Sequence, residues 1–82
     1  MQKNHLLVLR AVGAYSTWSG RAATLGEIKK LCPLSRSTVY RQLLVLEKLA
    51  LVQRVWLNPN LSKFRWTYLG ESAYMEFWGK LL

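Results

Sequence analysis

Residues 33–52 read PLSRSTVYRQLLVLEKLALV, and they carry the strongest structural signal in the chain. On a helical wheel of 3.6 residues per turn, four apolar residues fall on one side: Val39, Leu43, Leu46 and Ala50. Ser37, Arg41 and Lys48 fall on the opposite side. The pattern predicts an amphipathic helix with one face in the core and one polar, basic face.

The start of this helix is marked by its own residues. Pro33 disfavours a helix that runs into it, and the Ser35 hydroxyl can accept a hydrogen bond from a first-turn amide as N-cap. The first turns then carry hydroxyl, basic and aromatic side chains, namely Ser35, Arg36, Ser37, Thr38, Tyr40 and Arg41. Within the helix no acidic residue precedes Glu47. Such a tip suits a polyanion, because free amides and the helix dipole favour phosphate there.

Composition limits the classes of protein to consider. The chain has 82 residues, 12 Lys and Arg against 4 Asp and Glu, and a formal net charge of +8. We expect a single small domain over residues 1–82, without a separate effector domain. The charge makes nucleic acid the leading partner and an anionic membrane surface the second. No apolar run reaches the roughly 18 residues of a membrane span, so we expect a cytoplasmic protein.

Two helices are predicted before residue 33. The first covers residues 4 to about 15, and a connection follows over residues 16–23. Thr24 and Glu27 then form a capping box that starts a short second helix, which carries Lys29 and Lys30 outward and ends before Pro33. A short helix, a turn and a longer helix over residues 24–50 form a helix-turn-helix.

Beyond residue 50 the periodicity changes from 3.6 to 2. Residues 51–57 and 63–68 are rich in β-branched and aromatic side chains, with a turn between them. They predict a β-hairpin over residues 51–68, with Phe64, Trp66 and Tyr68 on one face and Lys63 and Arg65 on the other.

The quoted stretches carry a resemblance to a known group of proteins. LSRSTVYRQLLVLEKLALV resembles the recognition helix of winged helix-turn-helix regulators, the group that holds the MarR, IclR, ArsR and PadR families. TLGEIKKLCPLSRSTVYRQL is similar to the group over both helices and the turn, and residues 66–70, WTYLG, are similar to the end of its wing. The resemblance implies an α+β fold with three N-terminal helices, a two-stranded hairpin wing and a C-terminal helix.

The resemblance also implies roles for individual residues. The recognition helix would enter a major groove, where Ser37, Thr38 and Arg41 reach base edges, and Arg41 can bind guanine with two hydrogen bonds. Ser35, Arg36 and Tyr40 would fix the register on phosphates. Phosphate contacts would also come from basic residues outside the helix, namely Lys29, Lys30, Arg54, Lys63 and Arg65. The alternative for the wing cations is that they only keep an exposed face of the sheet hydrated and make no DNA contact.

One residue departs from the pattern of the group. Ala50 stands at the exit of the recognition helix, where glycine is usual. A left-handed conformation would cost an alanine about 1 kcal/mol, so we expect the helix to exit by another geometry.

The C-terminal helix, over residues 70–82, has more apolar surface than one side needs. Ala73, Phe77 and Leu81 form one stripe, and Tyr74, Trp78 and Leu82 form a second. We predict a homodimer through this helix and the first one, with an interface of Tyr74, Phe77, Trp78, Leu81 and Leu82. The alternative is that both stripes lie in the core of a monomer.

These features lead to a functional hypothesis. We expect a sequence-specific double-stranded DNA-binding protein, a transcriptional regulator that acts as a homodimer on an inverted repeat. The alternative is a winged-helix module that binds protein or RNA without reading DNA sequence. We expect no enzyme, because the chain has no Asp and no nucleophile with a base. No cofactor or small-molecule ligand is evident, and one His and one Cys do not make a metal site.

Overall fold

The computed structural model describes residues 2–18 and 21–81. Its elements follow one another as α1 (Lys3–Trp18), α2 (Leu25–Lys30), α3 (Arg36–Lys48), β1 (Val52–Asn58), β2 (Leu61–Trp66) and α4 (Tyr68–Leu81). The two strands form an antiparallel hairpin. Three helices, a hairpin wing and a fourth helix confirm the predicted α+β class.

The core lies where α1, α3 and the hairpin meet. Its buried side chains are Val8, Leu9, Ala11, Val12, Ala23, Ile28, Cys32, Val39, Leu43, Leu46, Val52 and Phe64. The apolar face of α3 is therefore confirmed at three of its positions. The prediction was wrong at Ala50, which is exposed and lies beyond the last helical residue, Lys48.

The start of α2 and the start of α3 are both capped as their sequences predict. The Glu27 amide donates to Thr24 Oγ1 at 3.2 Å, and the Thr24 amide donates to Glu27 Oε1 at 2.9 Å. The hydrogen bond from the Thr24 amide is the main reason that the pKa of Glu27 is lowered. Ser35 caps α3, with the Thr38 amide donating to its hydroxyl at 3.3 Å.

The connection between α1 and α2 is shorter than predicted, because α1 continues to Trp18. The segment before Thr24 also pairs with the wing: the Ala23 amide donates to the Phe64 carbonyl, and the Phe64 amide donates to the Ala23 carbonyl, each at 2.7 Å. The predicted loop thus adds an isolated β-bridge to β2 and ties the helix-turn-helix to the hairpin.

The wing is shorter than predicted at its end. The partners across the hairpin are Val52 and Trp66, Gln53 and Arg65, Arg54 and Phe64, and Val55 and Lys63. Tyr68, which we placed on the strand face of Phe64, instead begins α4 and is 83% exposed. The reason is Thr67, whose hydroxyl accepts a hydrogen bond from the Gly70 amide at 3.0 Å and so starts the helix there.

Helix α3 and the wing are joined at a strained residue. Ala50 has φ 60°, the left-handed conformation that we expected the chain to avoid. The Thr67 hydroxyl donates to the Ala50 carbonyl at 2.6 Å, and the Thr67 amide donates to the Leu51 carbonyl at 3.0 Å. These bonds hold the alanine in this conformation. They also join residues 50 and 51, which follow α3, to Thr67, which follows β2.

Two glycines allow close approach to the wing. A Cβ atom at Gly13 would overlap the ring of Trp66, and a Cβ atom at Gly70 would overlap the Leu51 carbonyl oxygen. The glycine at position 13 therefore lets α1 lie directly against β2.

Candidate nucleic-acid interface

The first turns of α3 present the predicted side chains to solvent. Ser35, Arg36, Ser37, Tyr40 and Arg41 are exposed, and Thr38 is half-buried. Since Val39 and Leu43 anchor the other face in the core, the helix is held with this tip outward. The structure thus brings all six residues of the predicted recognition surface together on one accessible tip.

Hydrogen bonds order this tip. The Ser35 hydroxyl donates to Thr38 Oγ1 at 2.8 Å, and Arg41 Nη2 donates to the same oxygen at 3.4 Å. Thr38 accepts both bonds and keeps its own hydroxyl hydrogen for another acceptor. Arg41 is therefore oriented before any ligand arrives, while most of its guanidinium donors remain available.

The other predicted cations are distributed over two elements. On α2, Lys30 is exposed and Lys29 is half-buried. On the wing, Arg65 is exposed and Lys63 is half-buried, and both lie on the face opposite Phe64 because side chains alternate along a strand. The predicted separation of Phe64 from Lys63 and Arg65 is confirmed by this register.

Arg54 differs from these cations in its placement. It lies directly across the hairpin from Phe64, on the face that packs against α3, and its side chain is 11% exposed. Its Nη2 atom is 3.4 Å from Glu47 Oε1. The predicted phosphate contact does not fit this position, because the guanidinium faces the protein and already has a carboxylate beside it.

An open groove of about 670 Å³ separates the tip of α3 from the wing. Its walls include polar and aromatic side chains from both sides, among them Arg36, Tyr40, Arg54, Trp56, Asn60 and Ser62. Trp56 is 59% exposed and Tyr40 is 40% exposed. No local pattern in the sequence indicates Trp56, Asn60 or Ser62, because their position beside this groove depends on the register and the turn of the hairpin.

The predicted dimer surface is described in part. Tyr74 and Phe77 are half-buried, and the ring of Tyr74 lies 5.9 Å from that of Trp66 in the same chain. Trp78, Leu81 and Leu82 lie outside the residues whose side chains are described. Met75 on the same helix is 56% exposed.

Cys32 is buried, and its thiol donates to the Leu7 carbonyl at 3.6 Å. Burial raises the pKa of the thiol above its ordinary value. A raised pKa lowers the thiolate fraction, which is typical of a small, unreactive core cysteine.

The described residues hold neither a metal-binding group nor a membrane-spanning helix. Over residues 2–18 and 21–81, no three His, Cys, Asp or Glu side chains are grouped as a metal ion would require. Within the same ranges, no helix has both the length and the apolar character to cross a membrane.

Comparison with solved structures shows what the fold is similar to. AF1382 from Archaeoglobus fulgidus superposes with a TM-score of 0.80 at 16% identity, over 99% of this chain and 87% of that one. RosR from H. salinarum gives 0.79 at 16% identity, over 100% of this chain and 74% of that one.

A longer protein, the transcriptional regulator SlyA, gives a TM-score of 0.71 at 18% identity, over 98% of this chain and 54% of that one. The present chain therefore spans about half the length of SlyA. No family model matches the sequence, and no curated protein matches it either. At these identities the likeness shows the winged-helix fold, and the resemblance noted from the sequence is confirmed at that level.

Proposed function

We propose that the chain is a sequence-specific double-stranded DNA-binding protein that regulates transcription. The observation that carries this proposal is the tip of α3, where hydroxyls and an oriented arginine stand exposed at the start of a helix. A net charge of +8 adds a favourable field for a polyanion. The similarity of the fold to a transcriptional regulator supports the same conclusion.

The tip divides into two roles. Arg41, Ser37 and Thr38 lie furthest into a major groove when α3 enters it, and they read base edges. Ser35, Arg36 and Tyr40 lie at the rim and contact phosphates together with Lys29, Lys30, Lys63 and Arg65. Because these contacts displace counterions, affinity falls steeply as the salt concentration rises.

We assign the chain no enzymatic activity. The sequence has no Asp, and two of its four acidic residues already serve the fold. Glu27 closes the capping box of α2, and Glu47 lies beside Arg54.

The test is selection of bound sequences from random duplex DNA, followed by variants of the tip. Arg41→Ala should lower affinity for the selected site by about 10- to 100-fold and leave non-specific binding nearly unchanged. Lys48→Ala is the matched control, since it removes the same charge from the far end of α3 and should alter both affinities little. If Arg41→Ala together with Ser37→Ala left specific binding intact, α3 would not be the reading element, and a protein- or RNA-binding module would become the better assignment.

We further propose a homodimer through α4 and α1, with two recognition helices about one DNA turn apart on an inverted repeat. Support comes from the exposed Met75 on α4. Solution mass by light scattering should correspond to two chains. Met75→Lys should shift that mass toward one chain, while Met75→Leu should keep two, because only the first places a charge in the apolar surface. A monomer that bound a single half-site would contradict the dimer and leave DNA binding in place.

A further inference from the structure

Arg54 is surrounded by side chains from three elements. Its guanidinium carbon is 5.0 Å from the ring centroids of Trp56 on β1 and Phe64 on β2, and 5.8 Å from that of Tyr40 on α3. Glu47, on the last turn of α3, supplies the nearby carboxylate. The Arg54 side chain therefore lies beside residues of both strands of the wing. It also lies beside two residues of α3, Tyr40 and Glu47.

The chemistry of this cluster requires an arginine. A flat guanidinium can stack on aromatic rings and still keep its charge beside a carboxylate, whereas a lysine ammonium is a hydrated point charge. A charge that is 11% exposed needs compensation, and here the aromatic rings and Glu47 provide it. Arg54 Nε and Nη2 are shielded from solvent and have no hydrogen-bond partner among the described residues, so Glu47 balances the charge without a close hydrogen bond.

We propose that Arg54 is a positioning residue that locks the wing against α3 and makes no phosphate contact of its own. The inference rests on the proposed function for its consequence in DNA binding. Glu47 and Tyr40 hold the guanidinium from the helix side, and Trp56 and Phe64 hold it from the wing side. Because the wing is already held against α3, the tip of α3 and the wing cations can bind the same duplex together. Binding then carries no entropic cost for ordering the wing.

The decisive variant is Glu47→Gln, because the two roles of Arg54 predict opposite signs. If Arg54 bound a phosphate, removal of the neighbouring acid would free the guanidinium, raise the net charge and tighten DNA binding. If Arg54 locks the wing, the same change loosens the wing and weakens DNA binding, by roughly 5- to 30-fold. Glu71→Gln is the matched control: it removes an exposed acid from α4 and should tighten binding slightly.

A second measurement needs no DNA. Hydrogen exchange of the wing amides over residues 53–65 should accelerate roughly 5- to 30-fold in Glu47→Gln and in Arg54→Lys, while amides in α1 stay unchanged. Arg65→Lys, on the other face of the same strand pair, should leave exchange as it is. If the unmodified protein did not bind DNA, the proposed function would be wrong, but the hydrogen-exchange result for the wing would still stand.

The lock would be overturned by unchanged wing exchange in both variants, or by tighter DNA binding in Glu47→Gln. Should Arg54→Lys fail to fold, Glu47→Gln alone decides, since that change keeps the size of the side chain and every aromatic contact.

Discussion

Arg41 at the tip of α3 and Arg54 on the inner face of the wing have opposite environments. Arg41 is exposed and held by a threonine hydroxyl, while Arg54 is 11% exposed among three rings and a carboxylate. Both stand in basic, aromatic stretches of sequence. Whether a cation can contact a ligand therefore depends more on which face of its helix or strand it occupies than on its neighbours in sequence.

The largest expected effect comes from breaking the inner face of the wing. Phe64 is fully buried and pairs with Arg54 across the hairpin, so Phe64→Ala should lower the free energy of unfolding by about 3–5 kcal/mol. Its neighbour Arg65 points to the other face, and Arg65→Ala should change stability by less than about 0.5 kcal/mol. Chemical denaturation of both variants measures the contrast, and equal losses would contradict the assigned faces.

A smaller effect is expected at the tip. Ser35→Ala removes the acceptor for the Thr38 amide and should cost about 1 kcal/mol of stability. Ser37→Ala, two residues further on, caps nothing and should cost much less, although it should reduce specific DNA binding. Thermal unfolding together with DNA titration separates the two serines. If both variants lost the same stability, Ser35 would not be the dominant cap.

The smallest expected effect has the opposite sign and concerns the joint between the two regions. Ala50 is left-handed at φ 60°, so Ala50→Gly should raise stability by roughly 0.5–1 kcal/mol. Ala73→Gly within α4 should instead lower it by about 1 kcal/mol. Denaturation midpoints for the pair test the strain directly, and a destabilised Ala50→Gly would show that the conformation costs the alanine little.

Much of the helix-turn-helix could be predicted from sequence because its signals are local. The capping box at Thr24, the cap at Ser35 and the apolar spacing of Val39, Leu43 and Leu46 act within one or two turns of a helix. These signals set the start of each helix and the exposed tip of α3. The predicted recognition residues follow from them directly.

The errors at Ala50 and Ala23 share a physical cause, which is contact between residues far apart in the chain. The error at Tyr68 is local: the Thr67 hydroxyl accepts a hydrogen bond from the Gly70 amide, so Tyr68 begins α4 and does not extend the strand. The same hydroxyl donates to the Ala50 carbonyl and so links α4 to the end of α3. Ala50 accepts its conformation because of the same threonine. The strand bridge of Ala23 depends on Phe64, far along the sequence, and no local pattern could indicate it.

By itself the sequence determined a basic chain with capped helices, a hairpin and an outward tip of hydroxyls and cations, because periodicity and capping depend on near neighbours. Only the tertiary structure decided which wing cation faces inward. That choice depends on the register of the hairpin, which pairs Arg54 with Phe64 on the neighbouring strand. It also depends on the packing of the hairpin against α3, which places Glu47 beside Arg54.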